Sequence, residues 1–234
     1  MSQPFDAKAD LADSPDVGAR VRPRDAATLI LVRKGSKGPE VLMGRRAPGH
    51  IFMASKWVFP GGRVERGDYT APFISDLPPA EMARLSQEVP ERQARALALA
   101  AVRETHEETG VILGRPAPKR SLAGAWRAFA ATGHQADLSG LTYIARAVTP
   151  PGRPRRFDAR FFLADADALA LPDRTAHGDE LERVGWVPLD DLDDLALPAI
   201  TRFVMGEVEA RMDGRDPGLP FVRQLHGRHR IDRL

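Results

Sequence analysis

Apolar and polar positions follow two different periods along this chain, and where the period changes sets the expected elements. The runs "ATLILV" (Ala27 to Val32) and "VLMGRR" (Val41 to Arg46) flank the turn chemistry of "RKGSKGPE" and predict a β-hairpin. "KWVFPGG" (Lys56 to Gly62) predicts a short strand that stops at Pro60, which cannot donate to a ladder, and at the Gly61–Gly62 pair, which frees the backbone. From Leu77 the period lengthens. "LPPAEMARLSQ" reads as a short helix, and "VPERQARALALAAVRETHEETG" (Val89 to Gly110) as a long one, with Pro90 in its first turn and Gly110 just past its end. "SLAGAWRAFAATG" reads as a further short helix. Strands are expected at "LTYIARAVTP" (Leu141 to Pro150), "RFDARFFLAD" (Arg156 to Asp165) and "ERVGWVPL" (Glu182 to Leu189), and an amphipathic helix at "PAITRFVMGEVEARM" (Pro198 to Met212). The order of elements is that of a mixed α/β domain.

The ends carry no such period. Residues 1–24, rich in Asp, Ala, Pro and Ser, are expected to form a disordered tail; residues 25–212 form the domain, and 213–234 a C-terminal extension of no evident element. At 234 residues, one sizeable domain with appendages is expected.

Composition narrows the function classes. Apolar residues make up 43% and charged ones 28%, with a formal net charge of only +2, so neither a nucleic acid nor a membrane is the expected partner. Basic residues cluster locally, in "GRPRR" (Gly152 to Arg156) and "RQLHGRHR" (Arg223 to Arg230), as solvated surface or as anion sites. The absence of cysteine excludes disulfides, thiolate metal sites and a cysteine nucleophile. The acidic N-terminus and the lack of a long apolar run make the cytoplasm the expected location. Neither a P-loop lysine motif nor a serine nucleophile elbow is present.

The chemistry concentrates in "AVRETHEETGVIL" (Ala101 to Leu113). At about 100° per residue, Glu104, Glu107 and Glu108 fall within about 100° of arc on one helix face. Like charges so placed are mildly unfavourable, by roughly 0.2–0.5 kcal/mol per exposed pair. Two compensations are open at this point: a hard divalent cation, which takes oxygen ligands, or solvation of an exposed face with Arg103 paired to Glu107.

Together, "FPGGRVERGD" (Phe59 to Asp68) and "RETHEETG" (Arg103 to Gly110) resemble the two halves of a Nudix box, whose pattern is G-x5-E-x7-R-E-U-x-E-E-x-G-U with U apolar. Gly62 opens it, Asp68 stands where the first glutamate is usual, Thr105 takes an apolar position, and residues 69–102 replace the usual seven. The insertion, 69–97, is read as an extra helix near Glu81 to Ser86 plus an N-terminal extension of the box helix. With "TPPGRPRRFDARFF" (Thr149 to Phe162), it resembles the branch of the Nudix family that includes peroxisomal coenzyme A diphosphatases, over about Ala26 to Phe203. A separate coenzyme A signature asks for Arg and Gly where Ile51 and Ser55 stand.

The resemblance implies a Nudix fold, an α/β/α sandwich with a mixed β-sheet. It implies a diphosphatase that uses Mg²⁺ or Mn²⁺, held by Glu104, Glu107, Glu108 and the Gly61 carbonyl, to hydrolyse a small-molecule nucleoside diphosphate derivative. Coenzyme A or an acyl-coenzyme A is the leading substrate. ADP-ribose or a nucleotide sugar is the alternative within the class, and a catalytically silent nucleotide-binding module the alternative outside it. Arg103 is expected to fix Glu104, and Asp68 to hold Arg103 through a looser or water-mediated brace. The general base is expected among Glu104, Glu180 and Glu182; Arg45, Arg46 and Arg63 are expected to meet substrate. Phe52, Trp57 and Phe161 are either stacking residues or core, Trp126 and Trp186 are read as core, and His106 as facing solvent. A homodimer is left open.

Overall fold

The computed structural model describes residues 5–13, 16–18, 20–49, 53–170 and 181–234. The Glu180 expectation, like that for Phe52, lies outside the described residues. In chain order the strands are β1 (Arg24–Gly35), β2 (Gly38–Arg46), β3 (Trp57–Val58), β4 (Gly61–Arg63), β5 (Phe73–Ser75), β6 (Gly114–Pro116), β7 (His134–Asp137), β8 (Thr142–Val148), β9 (Phe157–Asp165), β10 (Leu181–Pro188), β11 (Pro220–Leu225) and β12 (Arg228–Arg233). The helices are α1 (Ala7–Asp13), α2 (Pro79–Ser86), α3 (Glu91–Thr109), α4 (Arg127–Ala131) and α5 (Ala199–Met212).

The main sheet runs β10-β2-β1-β9-β8-β11-β12, with β3 beside β2 and β4 beside β1. It is mixed: β1 lies parallel to β9 and β11 parallel to β8, while the β1–β2, β8–β9 and β11–β12 pairs are antiparallel. A second, three-stranded sheet is ordered β5-β7-β6. Strand alternation sends Leu29, Leu31, Leu42 and Phe162 into one core with the alanine-rich face of α3, and Ile30, Val41, Met43 and Phe161 into another with Phe203, Val204 and Val208 of α5. The result is the expected α/β/α sandwich. No described helix is long and apolar enough to cross a membrane.

Helix α3 stops where the sequence says it should. Gly110 adopts φ 75°, and its N–H closes on the His106 carbonyl at 2.8 Å. Thr105 is buried in an apolar position because its hydroxyl donates to the Ala101 carbonyl at 2.7 Å, leaving no unsatisfied group.

Residues 69–97, the stretch expected as an insertion, form part of the fold. They supply β5, α2 and the first turns of α3, and their carboxylates grip β8. Glu81 accepts the Tyr143 N–H at 3.0 Å, and Glu88 accepts the Tyr143 hydroxyl at 2.9 Å while meeting Arg146 at 3.1 Å. A side chain thus completes part of the hydrogen bonding of a strand.

Both ends depart from the sequence reading. Residues 7–13 are not a tail but the helix α1, which begins where Asp6 accepts the N–H groups of Lys8 and Ala9, each at 2.9 Å. The helix docks on α5: Asp13 accepts the Ala199 N–H at 2.7 Å and pairs with Lys56 at 3.0 Å, and Phe5 sets its ring edge against Phe203. Its order comes from these long-range contacts, which no local period announces. Residues 220–233 are likewise part of the sheet, as the β11–β12 hairpin, held by Glu207 of α5 against Arg233 through two 2.7 Å hydrogen bonds. One charge of "RQLHGRHR" is paired across the hairpin, Arg223 with Asp232 at 2.7 Å.

Candidate active site

The site is assembled where β4 and the turn after it face the last two turns of α3. Asp68, in a short 3-10 turn (Arg66–Tyr69), is fully buried and accepts two hydrogen bonds from Arg103: Nε to Oδ1 at 2.9 Å and Nη2 to Oδ2 at 3.0 Å. Bidentate pairing of this kind fixes a guanidinium in both position and plane. The brace is direct, not loosened or bridged by water as the shorter side chain suggested. The turn brings the backbone inward, and the Glu65 N–H (2.7 Å) and the Trp126 indole N–H (2.8 Å) hold the aspartate from behind. Trp126 is therefore more than core filling.

From that anchor the other end of the guanidinium reaches out. Arg103 Nη1 donates to Glu104 at 2.9 Å and to Glu107 at 3.0 Å, and Nη2 also donates to the Arg63 carbonyl at 3.0 Å. Glu108 accepts the Gly61 N–H at 2.9 Å. The solvated-face reading fails for two of the three glutamates: Glu108 is 5% exposed and the Glu104 side chain 16%, while Glu107 is about one-third exposed. Glu108 meets the Gly61 N–H and Glu104 lies against Gly62, while Glu107 is held by Arg103 at the cavity wall.

Burial works against the charge of Arg103, yet the hydrogen bonds to Asp68 and the charges of Glu104, Asp68 and Glu107 outweigh it, holding its pKa above the ordinary arginine value. It stays a fixed cation. Burial pushes the Glu107 carboxyl above the usual range, with Glu65 and Asp68 adding to the rise and Arg103 opposing it.

Glu104, Glu107, Gly61, Gly62, Arg63 and Arg46 line a cavity of about 850 Å³ that runs from α3 across the sheet toward β12. That volume is in the range of sites that enclose a ligand of some size, about 300–1,000 Å³. Glu65 also lines it, paired with Arg63 at 3.0 Å. Sequence reasoning passed over Glu65, although it stands only three residues past Gly62. Phe161 lies on the cavity wall, whereas Trp57 packs against the core under α5.

Two expected residues are not brought to the cavity. Successive strand residues point to opposite faces; Arg46 lines the cavity, while Arg45 turns to β10 and pairs with Glu182 at 3.1 Å. Glu182 is thereby spent on an ion pair away from the box glutamates. His106, expected to face solvent, is partly buried, with its ring edge against Phe129 and Nδ1 3.2 Å from the Val111 carbonyl; burial lowers its pKa.

The donors around Gly61 and Gly62 are all oxygen atoms on acidic side chains, which suits a hard divalent cation. Gly62 leaves room beside Glu104 that a Cβ would fill. Among the described residues, no three His, Asp or Glu side chains already converge as a cation cage, because Arg103 and the Gly61 N–H hold these carboxylates. The donor chemistry fits; occupation would require part of that hydrogen bonding to yield.

No family model matches the chain. A solved NUDIX hydrolase from Alicyclobacillus acidocaldarius is 32% identical, with 83% of this chain and 97% of that one covered and a TM-score of 0.60. The chain belongs to the Nudix hydrolase family. That family generally uses divalent metal ions. The NUDIX domain of Shewanella oneidensis NrtR, solved with ADP ribose, shares the fold at a TM-score of 0.50 and 12% identity, over 88% of this chain and 99% of that one. A curated relative, the acyl-coenzyme A diphosphatase NUDT19 of Gallus gallus, is 28% identical over 60% of this chain. The chain spans 54% of that relative's length.

Proposed function

We propose that this Nudix hydrolase cleaves the diphosphate of coenzyme A or an acyl-coenzyme A, with Mg²⁺ or Mn²⁺ held by Glu104, Glu107, Glu108 and the Gly61 carbonyl. The observation that carries the metal-site reading is the Asp68–Arg103–Glu104/Glu107 chain of hydrogen bonds, which aims two carboxylates into a cavity large enough for a nucleotide and its second moiety. The substrate reading rests on the long box insertion and on the likeness to the acyl-coenzyme A diphosphatase.

Bound divalent cations supply neutralisation of the diphosphate and a lowered pKa for attacking water. The chain's own residues do the rest. Asp68 and Trp126 position Arg103, and Arg103 positions Glu104 and Glu107 while remaining charged. Glu104 is the general base among the expected candidates that faces the cavity. Arg46 and Arg63, on the walls, meet phosphate oxygens. We place residues 25–233 in one hydrolase domain, with 69–97 as its internal brace.

The test is product analysis by mass spectrometry in ¹⁸O-labelled water. Substrates are coenzyme A, an acyl-coenzyme A, ADP-ribose, NADH and a dinucleoside polyphosphate, each with Mg²⁺, with Mn²⁺ and with chelator. Metal-dependent release of 4'-phosphopantetheine and 3',5'-ADP supports the reading, and the label reports which phosphorus is attacked. Faster turnover of ADP-ribose would move the substrate; nucleotide binding without any turnover would leave a silent module. Glu107→Gln, which keeps shape and removes charge, should lower kcat by about 100-fold or more with little change in Tm, and full activity in that variant would refute the metal site.

A further inference from the structure

At the β12 side of the same cavity the chain gathers positive charge that the box chemistry does not use. Arg153, from the "GRPRR" turn between β8 and β9, is 1% exposed and lines the cavity, yet its Nε and Nη1 make no hydrogen bond. His229 of β12 also lines it, with a buried Nε2 that makes none. A guanidinium so buried with two nitrogens unmatched costs free energy unless something completes it.

The group nearest to completing it is Asp10 of α1. Its Oδ2 lies 3.5 Å from Arg153 Nη2 and 3.8 Å from His229 Nε2, both long for strong charge-assisted hydrogen bonds. Burial holds the Asp10 carboxyl above the usual aspartate range, despite the lowering influence of His229 and Arg153. The segment is laid over this end of the cavity by backbone contacts: the Val17 N–H donates to the Gly152 carbonyl at 2.9 Å, and Asp16 sits where a Cβ on Gly152 would be. Phe5 covers His229, ring centroids 5.1 Å apart.

We infer that Arg153 and His229 form an anion subsite for a phosphate monoester on the substrate, remote from the diphosphate, and that Asp10 occupies it as a stand-in. A phosphate monoester offers three acceptor oxygens to the fork of Arg153 and to His229, where one carboxylate oxygen at long range now serves both. Its binding displaces Asp10 from them, so the N-terminal segment competes with the group the subsite selects. The substrate part of this inference rests on the function proposed above; the anion site itself does not.

The first experiment is therefore titration of the full chain with inorganic phosphate, by calorimetry at constant ionic strength with chelator present, so that the carboxylates at the box end stay uncompensated and repel the probe. Asp10→Asn should tighten binding several-fold, and Arg153→Gln and His229→Gln should each weaken it by tenfold or more. His229→Gln, at a less buried position, serves if Arg153→Gln fails to fold. Unchanged affinity in His229→Gln and Asp10→Asn would overturn the site. The second arm compares kcat/KM for coenzyme A and dephospho-coenzyme A. The preference for the phosphorylated member should rise in Asp10→Asn and fall in His229→Gln through KM; equal effects on both members would overturn the assignment to substrate. If neither member turns over, the proposed function fails, while the phosphate titration still decides the subsite.

Discussion

The backbone of Gly62 lies against the carboxylate of Glu104 so closely that a Cβ built there would fall 2.4 Å from the Glu104 carboxyl carbon. At Gly61 the same Cβ would meet backbone instead, 2.6 Å from the Ala27 carbonyl oxygen and 2.8 Å from Thr28 Cα. Two adjacent glycines therefore answer to different constraints. Gly62→Ala can be relieved by swinging the end of one side chain, so it should fold with a Tm within a few degrees of wild type and lose about 100-fold or more in kcat as Glu104 is displaced. Gly61→Ala must separate β4 from β1 and should lower stability by about 1–3 kcal/mol. Urea denaturation beside steady-state kinetics separates the two, and an active Gly62→Ala enzyme would mean that Glu104 need not stay where it is.

Asp68 is the more severe case. Its carboxylate is fully buried and is matched by Arg103, the Glu65 N–H and the Trp126 indole. Asp68→Ala leaves the Arg103 charge buried beside a lost acceptor, and breaking a buried pair from one side costs about 3–5 kcal/mol. Trp126→Phe removes one donor and shrinks a buried indole to a phenyl, for about 2 kcal/mol. Denaturant midpoints should rank the variants in that order. Activity measured well below the Tm should fall in both, because Arg103 carries the position of Glu104 and Glu107.

How much of this was legible follows from where the information sits. The box helix is local: Pro90, the alanine run and Gly110 specify its start, interior and end, and the arc of the three glutamates follows from helix geometry. The longer strands of the main sheet were legible as apolar runs; its two cores were not. What the sequence hid are relationships between distant segments. The hold of Trp126 on Asp68 spans 58 residues and that of Arg153 on Asp10 spans 143; an isolated tryptophan or a basic run carries no mark of such a partner. Helix α1 and the β11–β12 hairpin were missed for the same reason, since Asp13 and Glu207 anchor them on α5. The choice of Arg46 over Arg45 needed the register of β2, which alternation alone does not supply when both residues are arginine.

Asp137 makes the second sheet pH-sensitive. Burial would raise its carboxyl, but the Ser139 hydroxyl at 2.6 Å, the Ser139 N–H at 3.0 Å and Arg115 outweigh burial and hold it below the usual aspartate range. A carboxyl depressed in the folded state contributes stability that is present above its unfolded pKa of about 3.9 and is lost as pH falls through the folded value. Asp137→Asn should thus be less stable than wild type at pH 7 by about 1 kcal/mol. The gap should close as both proteins are taken to lower acid pH in parallel urea titrations. A gap independent of pH would show that the ionised carboxylate is not what Ser139 and Arg115 hold.

The C-terminal hairpin is joined to α5 by a carboxylate with no exposure at all. Glu207 accepts both Arg233 hydrogen bonds at 2.7 Å, and Arg211, one helical turn on, approaches at 3.4 Å while donating to the Gly218 carbonyl at 2.6 Å. Glu207→Ala leaves Arg211 partly buried without its acid, and should cost about 3 kcal/mol or more. Arg233→Ala leaves the acid buried with one weaker partner and should cost a comparable amount. Because the two residues serve one interaction, the double variant should be less destabilised than the sum of the singles by about 1–3 kcal/mol. Additive costs would mean that the hairpin is held by the apolar contacts of Phe221 and Val222 instead. The cycle also bears on the cavity, since β12 carries His229: loosening the hairpin should weaken phosphate binding at Arg153 while leaving the Asp68–Arg103 brace in place.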